Sequence, residues 1–223
     1  MIRIIRQGGV LADQYDDSLV SEGRFEPESN GLVLRNLRGI VDSIAMDRLE
    51  TVELARTVGW LVNNVGRDHR FTAHDICNMH ERWLTGIYDW AGRYRSINLQ
   101  KDGFPFAAAN RIATLMADLE AGQLKRYTPC RFADTDLIAR ALAEVHVELV
   151  LIHPFRDGNG RVARVLSTLM ALQAGLPLLD FSSIAGVERA TYFAAVQAGM
   201  DRNYASMQTL FAQIISATLA VKR

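Results

Sequence analysis

The chain has 223 residues, 49% hydrophobic and 22% charged, which suits one soluble domain with a small extension. Its 25 Lys and Arg balance 25 Asp and Glu, and this near-zero net charge argues against bulk binding to nucleic acid or to a membrane surface. Cys77 and Cys130 stand far apart in no metal spacing, and neither a secretory leader nor a long apolar run is present, so a cytoplasmic protein with reduced thiols is expected.

Residues 1–36 are the most irregular part, and Phe25–Gly31 (FEPESNG) reads as a turn-rich linker. From about Asp42 apolar residues fall at helical spacing: Met46, Leu49, Val52, Leu54, Val58 and Leu61 predict a helix over 44–64. The next helix opens at Thr72, which forms a capping box with Asp75 and puts Ile76, Met79, Trp83, Leu84 and Ile87 on one face. Segment 96–106 breaks the pattern. Ser96–Leu99 reads as a short strand, Asp102-Gly103 as a tight turn and Phe104-Pro105-Phe106 as the return, confined by Pro105 to a sheet edge. Helical spacing resumes over 112–119, 137–152 and 162–174, the last ended by Gly175, and again near 187–200 and 204–220. The expected fold class is mainly α, with one small hairpin.

Residues 153–164 read HPFRDGNGRVAR. Pro154 stops the helix that ends near Ile152, and the next begins near Gly160 or Arg161. Between them Gly158, Asn159 and Gly160 tolerate left-handed backbone angles that turn successive N–H groups to one side. Those groups join the unpaired N–H groups and the positive dipole end of the following helix. Arg161 and Arg164, three apart in its first turn, reach the same ligand, and the product is a polyphosphate cradle. Asp157 fits such a site with Mg²⁺ between it and the phosphates. His153, with an ordinary pKa of ~6.5, is placed to take a proton from an attacking hydroxyl, and Phe155 anchors the loop in the core. Each feature alone reads as packing, turn or solvated surface; together, within twelve positions, they point to phosphate-transfer chemistry. No G-x-x-x-x-G-K-[ST] occurs, and His146-Val147-Glu148 lacks the P-C-x-x-C of a zinc deaminase and reads as ordinary helix. His74 and His80, six apart, share no helix face and make no metal pair.

At every fixed position this stretch matches H-P-F-x-[DE]-G-N-G-[RK]-x-x-R, so the chain resembles the Fic (Fic/Doc) family. Leu34–Ile40 is similar to the opening of the Fic core, and Ile87–Phe106 to the segment leading into its β-hairpin flap. The resemblance implies a Fic-fold helical bundle over 31–223, behind an N-terminal extension over 1–30. It further implies a nucleotidyltransferase that moves AMP from ATP, with Mg²⁺, to a Ser, Thr or Tyr hydroxyl of a target protein. On the matching positions His153 is the base and Asp157 the Mg²⁺ ligand. Gly158, Asn159 (backbone and side chain) and Gly160 hold the phosphates, Arg161 lies near the reacting phosphorus, and Arg164 takes the γ-phosphate. The flap, with Ile97, Asn98, Leu99, Gln100, Lys101 and Gly103, pairs with an extended target segment by strand addition. Both motif glycines stand, whereas Doc-type kinases carry Lys at the second and phosphocholine transferases Ala at the first, which favours nucleotidyl transfer.

Many Fic proteins are held off by a helix with [ST]-x-x-x-E-[GN], whose Glu takes the second motif Arg. Ser18–Gly23 (SLVSEG) fits, making Ser18 and Glu22 the expected inhibitory residues, with Glu22 on Arg164. Glu22-Gly23 equally fits a helix end or the start of the following turn. Without such a brake, the resemblance implies a separate antitoxin. Transfer of UMP or phosphate, and a non-catalytic target-docking module, are the alternatives; the intact His153 and Asp157 count against the last. No nucleic-acid or membrane partner is expected.

Overall fold

The computed structural model describes residues 11–12, 21–182 and 189–220. A two-residue strand, β1 (Leu11–Ala12), precedes a short 3-10 turn at Ser21–Gly23. α1 (Ser43–Asn64) begins where the Asp42 carboxylate accepts from Ala45 N–H at 2.7 Å. α2 (Ala73–Leu84) opens with the expected capping box: Thr72 accepts from Asp75 N–H at 3.1 Å, and Asp75 accepts from Thr72 N–H at 2.8 Å.

β2 (Leu99–Lys101) and β3 (Phe104–Pro105) form an antiparallel hairpin with Lys101 opposite Phe104. Asp102 and Gly103 both have positive φ, 51° and 80°, as a two-residue hairpin turn that follows the strand twist requires. That turn fixes the register, so the strand occupies Leu99–Lys101 rather than Ser96–Leu99, and Ile97 and Asn98 form its root. β1 pairs with the other edge of β2, Leu11 opposite Gln100, making the sheet three-stranded.

α3 (Ile112–Leu119) widens into a π-turn at Glu120–Leu124 and ends in the single turn α4 (Lys125–Tyr127). α5 (Thr135–Ile152) is buried around most of its circumference, because α3, α6 (Asn159–Gln173), α7 (Arg189–Ala198) and α8 (Ala205–Ala220) all pack on it. The mainly α class stands. α6 starts slightly earlier than the sequence suggests, because Gly158, at φ 83°, already serves as its N-cap. The start expected at Val187 lies outside the described residues. No described helix is long and apolar enough to cross a membrane.

This arrangement leaves the 153–158 loop between the C-terminus of α5 and the N-terminus of α6. α1 and α2 pack against α6, and Phe106, just past β3, reaches the loop from the hairpin.

Candidate active site

His153 ends α5 in the left-handed region, φ 51° and ψ 58°, while its N–H still bonds Leu149 O at 3.1 Å. That backbone state costs a residue with a side chain about 1–2 kcal/mol, so its surroundings must hold it there. Arg95 does so. Its buried guanidinium donates to His153 O at 2.7 Å, Ile97 O at 2.5 Å, Ala107 O at 2.5 Å and, at 3.4 Å, Ile152 O. One cation therefore satisfies the carbonyls of Ile152 and His153 at the end of α5 and ties both roots of the hairpin to the loop. Burial pushes its pKa down to about 10, with Glu22 opposing, so it stays charged at neutral pH. No sequence motif pointed to Arg95.

The His153 imidazole Nδ1 lies 3.1 Å from Val150 O, which only accepts, so Nδ1 carries the proton and Nε2 keeps its lone pair. Phe106 stacks on the ring at 3.6 Å. Burial pushes the imidazole pKa down to about 3, well under the ordinary value, so the ring is neutral through the physiological range.

Phe155 is the core anchor, fully buried and stacked on His80 at 3.9 Å. The Asn159 side chain faces inward rather than toward a ligand: its amide oxygen accepts from Phe155 N–H at 2.8 Å and its NH₂ donates to Phe155 O at 2.7 Å. It braces the loop. Gly158 alone of the Gly158–Gly160 run has positive φ, and a Cβ there would sit 2.7 Å from Trp83. At Gly160 a Cβ would meet only Arg164, at 3.7 Å, so that glycine keeps the surface open rather than the backbone free. The N–H groups of Asn159, Gly160 and Arg161 meet no acceptor among the described residues and form the positive end of α6.

The Asp157 carboxylate, a third exposed, accepts from Gly158 N–H at 2.6 Å and lies 3.4 Å from Arg161. His80 supports it from α2. Gly92 N–H donates to His80 Nδ1 at 2.8 Å, which leaves Nε2–H to donate to Asp157 O at 3.1 Å, and burial pushes the His80 pKa down to about 4. A single carboxylate beside an anion cradle is how Mg²⁺ is held together with a nucleotide. Among the described residues no cluster of three His, Cys, Asp or Glu could form a metal cage.

The Arg161 guanidinium lies 2.6 Å from Glu50 of α1 and 4.5 Å over the Trp83 ring. Arg164, half-buried, pairs with no carboxylate among the described residues; burial lowers its pKa, opposed by Tyr192 and aided by Arg161.

Ser18 lies outside the described residues. Glu22 is buried, but not on Arg164. Its carboxylate accepts from Ser96 N–H at 2.6 Å and Ser96 Oγ at 2.5 Å, and its carbonyl accepts from Arg156 at 2.8 Å. The expected brake contact is therefore absent. The Glu22 carboxylate opposes the effect of burial on the charge of Arg95. In the flap, Ile97 and Leu99 are buried, Asn98 accepts from Ala109 N–H at 2.9 Å, Gln100 and Lys101 pair with neighbouring strands, and Gly103 is exposed at the tip. β1 already covers the outer edge of β2, and the open edge of β3 includes Pro105, which has no N–H to donate.

The Fic/DOC family pattern matches residues 70–171, from the start of α2 through most of α6. A Sinorhizobium fredii protein named probable protein adenylyltransferase y4lH is 30% identical over 146 residues, 66% of this chain and 74% of that one. The chain belongs to the Fic/DOC family. Protein adenylyltransferase VbhT of Bartonella schoenbuchensis is 28% identical over 150 residues, 67% of this Fic chain, which spans only 30% of VbhT. The ADP-bound N-terminal Fic domain of a VirB-translocated Bep effector from Bartonella quintana superposes with a TM-score of 0.70 at 26% identity, covering 90% of this chain and 99% of that one.

Glu22→Gly should leave the affinity for ATP with Mg²⁺ within about twofold of wild type by calorimetry, because Arg164 is not covered by Glu22; a gain of about tenfold would restore the brake. His80 and His146, the latter buried between Ser167 and Tyr192 with its pKa pushed down to about 3, stay neutral in the fold. Unfolded, both take up protons near ~6.5, so the unfolded state holds more protons below that pH and stability falls as pH drops. Urea unfolding should show a loss on the order of 2 kcal/mol per histidine between pH 7 and 5, whereas equal stability at both would contradict neutral buried rings.

Proposed function

We propose that this chain is a protein adenylyltransferase that moves AMP from ATP to a hydroxyl of a target protein in a cytoplasm. One observation carries the reading: a single loop holds a neutral imidazole of fixed tautomer next to the unpaired N–H groups that open α6. The relatives' names and the ADP in the Bartonella quintana domain support it.

In this reading the phosphates lie on the N–H groups of Asn159, Gly160 and Arg161 and on Arg164. The target hydroxyl oxygen attacks the α-phosphorus, and its proton passes to His153 Nε2. The bond from the α-phosphorus to the bridging oxygen breaks, and pyrophosphate leaves with the electron pair. Negative charge on the bound nucleotide raises the proton affinity of His153 at the moment it is needed. Asp157 is the residue that would hold Mg²⁺, which when bound neutralises phosphate charge.

The catalytic unit in this reading is 31–223, and 1–30 is an extension. An extended target segment adds to the hairpin at the outer edge of β2, where it displaces β1. Self-inhibition then comes from that strand rather than from Glu22 on Arg164. A separate antitoxin-like protein that covers Arg164 is the alternative control.

Incubation of wild type and His153→Ala with Mg²⁺, lysate and ATP labelled at the α- or the γ-phosphate tests the reaction. Protein-bound α-label is expected, without γ-label, with a loss of at least ~100-fold in His153→Ala. Transfer of γ-label would make the chain a kinase, label from UTP alone a uridylyltransferase, and no label from any nucleotide a docking module.

A further inference from the structure

We infer that Tyr192 is a positioning residue for Arg164: its hydroxyl, fixed by His146, steadies the guanidinium at the mouth of the cradle, where it reads the γ-phosphate of the nucleotide. The inference rests on the nucleotide reading above. Tyr192 stands on α7, beyond the residues that the family pattern matches, and is 8% exposed. His146, at mid-α5, is 1% exposed and faces the turn of α6 between Ala163 and Ser167, the turn that carries Arg164. Packing alone does not ask for an imidazole and a phenol there, because burying their polar atoms costs stability unless each is bonded. Here each is. Ser167 Oγ donates to Ala163 O at 2.9 Å, so toward His146 Nδ1, 3.3 Å away, it only accepts. Nδ1 therefore carries the ring proton, Nε2 accepts, and the Tyr192 hydroxyl donates to it at 2.9 Å.

The direction of that chain decides what Tyr192 offers. Its proton is turned toward His146, and its oxygen keeps lone pairs to which no described residue donates. Arg164 Nη1 lies 3.7 Å from the position of a Cβ on Gly160, so its guanidinium points back along α6 to the first turn, as long helical side chains do. Burial lowers the Arg164 pKa, with Tyr192 opposing and Arg161 adding; burial raises that of Tyr192, with Arg164 opposing. Among the described residues Tyr192 is thus the one whose effect favours the charged guanidinium. A long arginine with no carboxylate partner has much rotamer freedom to lose when a phosphate arrives. A phenol oxygen of fixed direction reduces that loss without neutralising the charge, as a carboxylate would.

The test uses the full chain in Mg²⁺ and calorimetry with two nucleotides whose α–β link cannot be cleaved, the α,β-methylene analogues of ATP and of ADP, which differ by the γ-phosphate. Tyr192→Phe keeps the ring and removes the hydroxyl. It should weaken binding of the triphosphate at least about fivefold and leave that of the diphosphate within about twofold of wild type. In an Arg164→Gln background the same change should have no further effect on either, because Tyr192 acts through Arg164. Tyr192→Phe with His146→Leu removes both ends of the buried bond, so it covers the case in which an unpaired imidazole nitrogen prevents folding, and it should show the same selective loss. Equal weakening of both nucleotides would make Tyr192 a general structural residue, and no weakening of either would remove any role. A selective loss that persists in Arg164→Gln would put Tyr192 itself on the phosphate. Each of these overturns the inference. Wild type that binds both analogues equally well also overturns it, since Arg164 then reads no γ-phosphate, but leaves the nucleotide reading standing. Binding of neither overturns the nucleotide reading, and the inference with it.

Discussion

A buried guanidinium with several carbonyl acceptors governs the geometry of this molecule. The last turn of any helix leaves carbonyls unpaired, and here they lie under a loop that water cannot fully reach. Arg95 satisfies two of them, at Ile152 and His153, and two more at the roots of the hairpin, Ile97 and Ala107. His153 thereby keeps its left-handed backbone, and the hairpin keeps its height over the imidazole, with Phe106 stacked on the ring. Glu22 completes the arrangement as counter-charge, which ties part of the N-terminal segment to the same point.

The loop beyond His153 sorts its polar groups by direction. Asn159 folds back on Phe155, Arg161 is drawn toward α1 by Glu50, and the Asp157 carbonyl is taken by His80. These inward bonds use atoms that would otherwise leave the backbone free to move. Among the described residues the N–H groups that open α6 meet no acceptor, and Arg164 pairs with no carboxylate. Local rigidity and open binding groups thus come from the same dozen residues, because each side chain spends itself on one side or the other.

Much of this is legible in the sequence, and the limits follow from range. Helices show because their apolar period is local, the hairpin shows in Asp102-Gly103, and the loop shows because its chemistry is packed into consecutive positions. Arg95, Glu50 and His80 do not show. Each acts on a residue tens of positions away, and nothing beside it in sequence marks the partner. Glu22 illustrates the same limit: a short pattern names the residue, but the tertiary fold puts its carboxylate on Ser96, beside Arg95, and not on Arg164. The inward turn of Asn159 is equally a tertiary matter, since its type suits both a phosphate and a loop brace. β1 is too short to carry any alternation.

If Arg95 makes the base and the flap one unit, loosening it must loosen both. Hydrogen exchange on Arg95→Lys against wild type tests this directly, because a single ammonium keeps the charge but cannot span the same carbonyls. Peptides over 97–107 and over 152–158 should lose protection together, while α1 and α8 keep theirs. Loss of protection in the hairpin alone, or in neither segment, would contradict the coupling.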